Sequence, residues 1–393
     1  MVNFVFLSVY FYSVPNLRFT NNQLKDFKIV DICKLKQGNQ YDLKQQFTEE
    51  KSDLKRFIRI VDYTQKTNDI RYVYSNGSEN YVDCTDVVVV RYGASAGYVG
   101  RGINGIIANN LFTIRPINSA LLNKSYLYHY LNAPVIQKQL NNTQSSGMPA
   151  LNFQTINNLH ILLPEYQEQR QIAVFLDKID ERIQTQIKII NDLVLQKKCI
   201  ISSLLKSVQD NEKIMLKDIL FDYNIKTTIN NEYPVLSSTA SGMYLQSEYF
   251  NKEASSDNTI GYKIIPRGYC TYRSMSDTGL FTFNMQELVE KGIVSPAYPV
   301  FSANDDYINE FIILYLNNSS YIKKQILELK SGGTRFALPF STLCTLKIPK
   351  LDKEKQLSLI KTITAFERKI ENEEMILKAL HQQKNFLLNN MFI

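Results

Sequence analysis

Several groups of residues in this sequence have types and spacings that suit known chemistry, and most fail on what surrounds them. Metal-dependent cleavage of a phosphodiester needs gathered carboxylates with a lysine close by. Glu49-Glu50-Lys51 after Asp42, and Glu328-Leu329-Lys330 after Asp306, have that composition. In a chain with 38 acidic and 45 basic residues such triplets are expected by chance, and the second falls in a helical stretch. Methylation of a base amino group needs an Asn/Asp-Pro-Pro-aromatic tetrapeptide, yet no two of the 11 prolines are adjacent. The three histidines, His129, His160 and His381, are scattered without metal or triad spacing, and His129 reads as a helix residue packing near Tyr126 and Tyr130. The glycine-rich run RYGASAGYVGRG lacks both GxGxxG and GK[ST], so turns flanking a strand explain its glycines better than a phosphate cradle. No catalytic residue and no metal site is therefore assigned, and the chain reads as a non-enzyme on its own.

The remaining chemistry is that of contacts to a nucleic acid. Base edges are read by Arg, Lys, Asn or Gln on loops, and backbone phosphates are anchored by Lys, Arg, Ser or Tyr. The candidates are Lys36, Lys44, Arg56, Arg59, Arg91, Tyr92 and Arg101 in the first half, and Lys263, Arg267, Tyr272, Arg273 and Arg335 in the second. For any one of them a solvated surface charge is the commoner fate. Arg91 and Arg101 flank the glycine run, and Arg273 ends a strand beside Tyr272, which singles these out. Net charge is +7, but residues 20–165 hold 16 basic against 12 acidic side chains and residues 211–350 hold 14 of each. An anion-binding surface must therefore come from local clustering.

The elements that position these residues come in duplicate. PEYQEQRQIAVFLDKIDERI (164–183) is echoed by PKLDKEKQLSLIKTITAFERKI (349–370), with Gln169 set against Gln356. At that offset of 187 (356 less 169) two heptad series run in parallel. One is Ile172, Leu176, Ile179, Ile183, Gln186, Ile190, Leu193, Lys197, Ile200 and Leu204. The other is Leu359, Ile363, Phe366, Ile370, Glu373, Leu377, Leu380, Lys384, Leu387 and Met391. Steps of 4 and 3 predict helices paired along a seam, each of about 39 residues or ~58 Å. Even the polar breaks coincide, Gln186 with Glu373 and Lys197 with Lys384, which argues for internal duplication. In an antiparallel pair, Lys197 is expected to face Glu373 and Lys384 to face Gln186, the alternative being lysines that reach out to water.

The repeat extends into the regions before each helix. SSGMPALNFQTINNLHILLP (145–164) aligns with KSGGTRFALPFSTLCTLKIP (330–349), YLYHYLNAPVIQKQL with FIILYLNNSSYIKKQIL, and IVDIC with LKDIL, while the intervening sequences differ. VDCTDVVVVRYG reads as a buried strand, YKIIPRGYCTYR as strand–turn–strand, and 123–141 and 305–329 as one short helix per half. The fold class is α+β: two α/β lobes, each followed by a long helix, with the helices pairing as an antiparallel coiled coil about a pseudo-twofold. The divisions are 1–19, an N-terminal extension; 20–165, lobe one; 166–210, spacer one; 211–350, lobe two; and 351–393, spacer two. Two lobes on a stiff spacer act as a caliper: ~58 Å can hold them over two DNA half-sites about a turn or more apart. Lobes with different interiors would read different half-sites.

The five cysteines lie far apart, with no CxxC, which fits a reducing, cytoplasmic setting better than a disulfide or zinc framework. MVNFVFLSVYFY, at twelve residues, is shorter than the ~20 apolar residues a bilayer span takes, and reads as a buried first strand or an over-extended start. No membrane partner is expected.

VPNLRF (14–19), SSGMPALN, ILLPEYQEQRQIAVFLDKID, GIVSPAYPVF (292–301) and SGGTRF (331–336) together resemble the specificity subunit of type I restriction–modification systems, over nearly the whole chain. The resemblance implies two target recognition domains reading a split, asymmetric double-stranded DNA target, and helices that set the spacing and dock two methyltransferase subunits, through which restriction subunits join. It implies S-adenosylmethionine, ATP and Mg2+ on those partners and none on this chain, with a role in DNA methylation and host defence. This sequence departs from the pattern after Pro349, where two extra residues and Lys353 and Lys355 alter the second junction. The competing readings are a coiled-coil scaffold without DNA specificity, which would show no salt-dependent, sequence-selective DNA binding, and a nuclease in its own right.

Overall fold

The computed structural model describes residues 24–65, 67–141, 149–249, 258–329 and 336–392. The opening apolar run, VPNLRF, Arg335 and most of the two glycine-bearing segments SSGM and SGGT fall outside them. The chain divides into two compact units, one of residues 1–187 with 375–393, the other of residues 188–374.

In the first unit, Lys25–Lys28 pairs antiparallel with His160–Leu163, the strand that leads into the long helix Tyr166–Ser207. A four-stranded antiparallel sheet follows in the order Cys33–Gln37, Leu111–Pro116, Val87–Val90, Val99–Gly100. The valine run is buried throughout, because one face meets the helices and the other meets a second sheet. That second sheet runs Arg71–Tyr74, Leu54–Ile58, Gly105–Ile107, Tyr81–Val82. Ile172, Leu176, Ile179 and Ile183 share one core with Tyr126, Tyr130, Leu380, Leu387, Leu388 and Met391. The start of the first long helix is thus packed against the end of the second, Lys353–Met391.

The second unit repeats the frame. Lys213–Met215 pairs antiparallel with Lys347–Pro349, and an antiparallel sheet runs Leu220–Asp222, Val300–Ala303, Cys270–Tyr272, Phe283–Met285, the same order of connection. Where the first lobe has its second sheet, this one has separate two-stranded pairs, Leu236–Thr239 with Gly242–Leu245 and Lys263–Pro266 with Lys291–Val294. Ile201, Leu205, Leu359 and Ile363 join its core.

Three expectations are corrected. The single short helix of each half is two: Lys124–Leu131 and Pro134–Asn141, and Asn309–Asn318 and Ser320–Glu328. Pro134 disfavours helical geometry in the residue before it, and Ser319 caps the next helix by accepting from the Ile322 amide. The seam drifts by one residue toward the end of the first long helix, so that Ile201 and Leu205 are buried and Ile200 and Leu204 half-buried. A straight helix turns every 3.6 residues and walks off a 3.5 repeat. Third, the seam lysines find other partners: Lys384 pairs with Asp180 within the first unit, and Lys197 with Glu367 at 3.2 Å within the second. Each acceptor lies six residues from the expected one, on the flank of the seam, where a carboxylate keeps access to water. Of the other seam residues, Leu193, Leu359, Ile363, Ile370 and Leu380 are buried, while Ile190, Phe366, Glu373 and Leu377 are half-buried.

Candidate DNA interface

The shared sheet places one loop of each lobe in the same topological position. In lobe one, residues 91–98 link Val87–Val90 to Val99–Gly100; in lobe two, residues 273–282 link Cys270–Tyr272 to Phe283–Met285. Each loop is strapped by the segment after its glycine-bearing run. Leu151 N–H donates to the Arg91 carbonyl, and Leu338 N–H to that of Ser274, both at 2.8 Å. Ala150 bridges Tyr92, and Ala337 pairs with Met275. The strap residues Ala150 and Ala337 stand at the same offset of 187 as the helices (337 less 150), two residues from the 185 of the aligned runs before them, so the structure pairs PALN with FALP in a common task.

Main-chain bonds close the first loop: Gly97 N–H donates to Val90, Val90 N–H to Tyr98, and Gly93 N–H to Pro149, each at 2.9 Å. Gly97 has φ +89, and a Cβ there would meet Asn141 Oδ1 at 2.6 Å. Gly279, in the second loop, has φ +78 and would put a Cβ 2.9 Å from the Phe336 ring. Only glycine suits either position. Beside the first loop lies an open cleft of about 630 Å³, lined by Tyr63, Thr64, Gln65, Ala94, Ser95, Ala96, Tyr98, Gln137 and Asn141. Beside the second lies one of about 450 Å³, lined by Ser237–Ala240, Arg273, Met275–Thr278, Leu280–Thr282 and Tyr298.

Of the candidates named from sequence, Arg273 alone lines a cleft; it is exposed, and no ion pair holds it among the described residues. Arg91 and Tyr92 are brought together, the guanidinium lying 4.8 Å from the Tyr92 ring centre and 4.3 Å from that of Phe153, and donating to Gln37 Oε1 at 2.7 Å. Arg56 and Arg59 share the buried Asp62, and Arg59 also pairs with Asp69. Lys36 donates to the Ser78 and Glu79 carbonyls at the edge of its sheet. Lys44 is exposed on the turn Leu43–Gln45. Lys263 is half-buried, which pushes its amine below the ordinary lysine range. Arg267 is exposed and pairs with Glu290 at 3.1 Å.

Two of these residues are committed elsewhere. Tyr272 is wholly buried and its hydroxyl donates to the Leu338 carbonyl at 2.8 Å, so it is a core residue that helps hold the strap. Alternation on a strand sends it inward while Arg273 leaves the sheet. Arg101 lies against the Tyr128 ring, 3.8 Å from its centre, and joins Asp177, Asp180 and Ser125, bracing the lobe against its long helix. Asp177 also accepts from buried His129 at 2.8 Å. Burial opposes its charge, but bonds from His129, Arg101 and Ser125 win, and its carboxyl sits far below the usual range. Among the described residues no group of three or more His, Cys, Asp or Glu side chains is gathered as for a metal, and no helix is long and apolar enough to cross a membrane.

The cleft residues Gln65, Tyr98, Gln137 and Asn141 are neutral, so a reading of the sequence by its cations passes over them. Tyr98 between the glycines of GYVG, and the four-residue step from Gln137 to Asn141 on one helix face, were the available signals.

Residues 21–193 match the family model of the type I restriction modification DNA specificity domain. The match spans the first lobe and the start of its long helix. The chain is also similar to the type I restriction enzyme MjaVIII specificity subunit of Methanocaldococcus jannaschii, 22% identical over 356 residues, with 81% of each chain covered. Two solved structures share its fold. One is the type I restriction–modification S subunit from M. genitalium, at TM-score 0.52 and 17% identity, covering 97% of this chain and 99% of that one. The other comes from a study of complex assembly and conformational transition of the type I R-M system, at TM-score 0.60 and 12% identity, covering 94% and 97%. By sequence and by fold the chain is thus similar to specificity subunits of type I restriction–modification systems.

Proposed function

We propose that the two lobes, at about 20–165 and 211–350, each read one half of a split, asymmetric DNA target through the strapped loop and its cleft. The observation that carries this reading is one frame with two linings. The same sheet order, strap and loop position recur, while the cleft side chains differ, which suits two readers of different half-sites better than a scaffold. Base-edge and phosphate contacts are assigned to the loop and its surroundings: Arg91, Tyr92 and Lys44 in lobe one, Arg273, Arg267 and Lys263 in lobe two. The paired helices set the half-site spacing and dock two methyltransferase subunits, and restriction subunits join through those. S-adenosylmethionine, ATP and Mg2+ act on those partners, and the complex works in the cytoplasm.

The test is a methylation map. The chain is co-expressed with its methyltransferase partner in a host without adenine methylation, and modified bases are located by single-molecule sequencing. A single bipartite motif with a fixed unspecified gap is expected. A soluble complex that leaves no new methylation overturns the reading in favour of a scaffold.

A further inference from the structure

Each cleft lies beside the loop that takes the same position in the shared sheet, but the linings differ in charge and in their other walls, the helix residues Gln137 and Asn141 in the first and the hairpin residues Ser237–Ala240 in the second. The lobe-one cleft is lined by hydroxyls, amides and aromatic rings and, among the described residues, by no charged side chain. At its floor the Tyr63 hydroxyl is buried without a hydrogen-bond partner among the described residues. Tyr98, Gln65 and Asn141 are exposed residues of its lining, and the Asn141 Oδ1 lies against Gly97. Gln137 is partly committed, its amide donating to Leu131 at 2.7 Å and to Gly97 at 3.4 Å. The lobe-two cleft instead carries two exposed charges, Arg273 and Asp277, among serine and threonine hydroxyls, and no ion pair to Arg273 is seen among the described residues. Its loop is held without that side chain, because Ser276 Oγ accepts from Gly279 N–H at 3.1 Å and the strap fixes Ser274.

Side-chain chemistry decides which bases such clefts suit. A guanidinium makes two parallel bonds to guanine O6 and N7, whereas an amide pairs with adenine N6 and N7. On the reading of the lobes as target recognition domains, we infer that Arg273 reads a guanine of the half-site bound by lobe two, and that lobe one reads its half-site at A·T pairs through Gln65 and Asn141. The lobes then differ in the class of base they select.

The experiment uses the full chain with its methyltransferase partner, as wild type and as Arg273→Ala, Arg273→Lys and Gln65→Ala with Asn141→Ala. Methylation is mapped for each. Binding is measured by fluorescence anisotropy on a duplex carrying the wild-type motif and on duplexes with single base pairs replaced. The expected result is that R273A loses discrimination at one G·C pair in one half-site, by roughly 5- to 150-fold, and leaves the other half-site unchanged. R273K restores affinity better than it restores discrimination, since an amine lacks the planar fork. The double amide variant relaxes an A·T position in the opposite half-site. R273A weakening all duplexes equally would make Arg273 a phosphate contact and overturn the assignment, as would an unchanged motif at unchanged affinity. If the wild-type complex shows no motif at all, it is the recognition function that fails.

Discussion

At the scale of single residues, the duplicated glutamines explain the repeated sequence better than the heptads do. Gln169 and Gln356 are both buried. Each accepts from the N–H of a residue near a lobe helix, Asn123 at 3.0 Å or Ile308 at 2.9 Å, and donates to the carbonyl two residues earlier, Leu121 or Asp306. Each also donates to the carbonyl five residues upstream, Pro164 or Leu351, at the turn into its own helix. The extra residues after Pro349 are absorbed before Leu351, so the clamp survives them. The repeated sequence marks the pair as an anchor, but the task of each depends on two groups distant in the chain and one local carbonyl. Leucine at either position strands buried polar groups at about 1–3 kcal/mol each. Gln169→Leu and Gln356→Leu are each expected to cost at least about 3 kcal/mol in denaturant unfolding, with hydrogen exchange rising around Lys124–Leu131 in the first and Asn309–Asn318 in the second. His129 supplies a pH signature. Burial lowers its affinity for a proton, and the nearby Arg101 adds to that against the pull of Asp177. Below about pH 6.5 the unfolded chain takes up a proton that the folded one refuses, so stability falls with acidification. The depressed Asp177 carboxyl extends that loss once the pH falls below about 4. His129→Gln is expected to flatten the limb between about pH 6.5 and 5 in urea titrations.

At the scale of elements, the helical period was legible because burial follows it. The polar partners were not, because they depend on register between two distant segments. Moving from Asp180 to Lys197 along the first long helix matches moving from Lys384 back to Glu367 along the second, 17 residues each way. The lysines therefore reach sideways to flanking carboxylates. Leu176→Ala removes a fully buried seam side chain and is expected to cost about 2–5 kcal/mol. Lys197→Met is expected to change stability by less than about 1 kcal/mol, because its partner Glu367 is half exposed. The two variants, compared by chemical unfolding, separate what the seam contributes from what its ion pairs contribute. The lobe interiors were opaque for a different reason. Several of their second-layer strands pair across long sequence separations, as Phe57 with Ile106 and Lys263 with Val294 do, and a cation's role depends on whether a carboxylate such as Asp62 or Asp177 has already claimed it.

At the scale of the whole molecule, net charge says little about DNA affinity. Arg56, Arg59, Arg71, Arg101, Arg115 and Lys124 are all held in ion pairs. Removing a single cation that touches a phosphate reduces the slope of log affinity against log salt by about 0.9. Lys44→Ala is therefore expected to shallow the slope by about one between roughly 50 and 200 mM KCl while leaving the methylation motif intact, the reverse of what Arg273→Ala does. The strap has a broader consequence. Main-chain groups close the lobe-one loop and hold its lobe-two counterpart to the sheet, so replacing the side chains that face the clefts leaves those bonds in place. On the proposed reading of the clefts, selection can then alter which target is read in small steps, each costing little stability, and specificity can drift without the lobe first relearning how to fold.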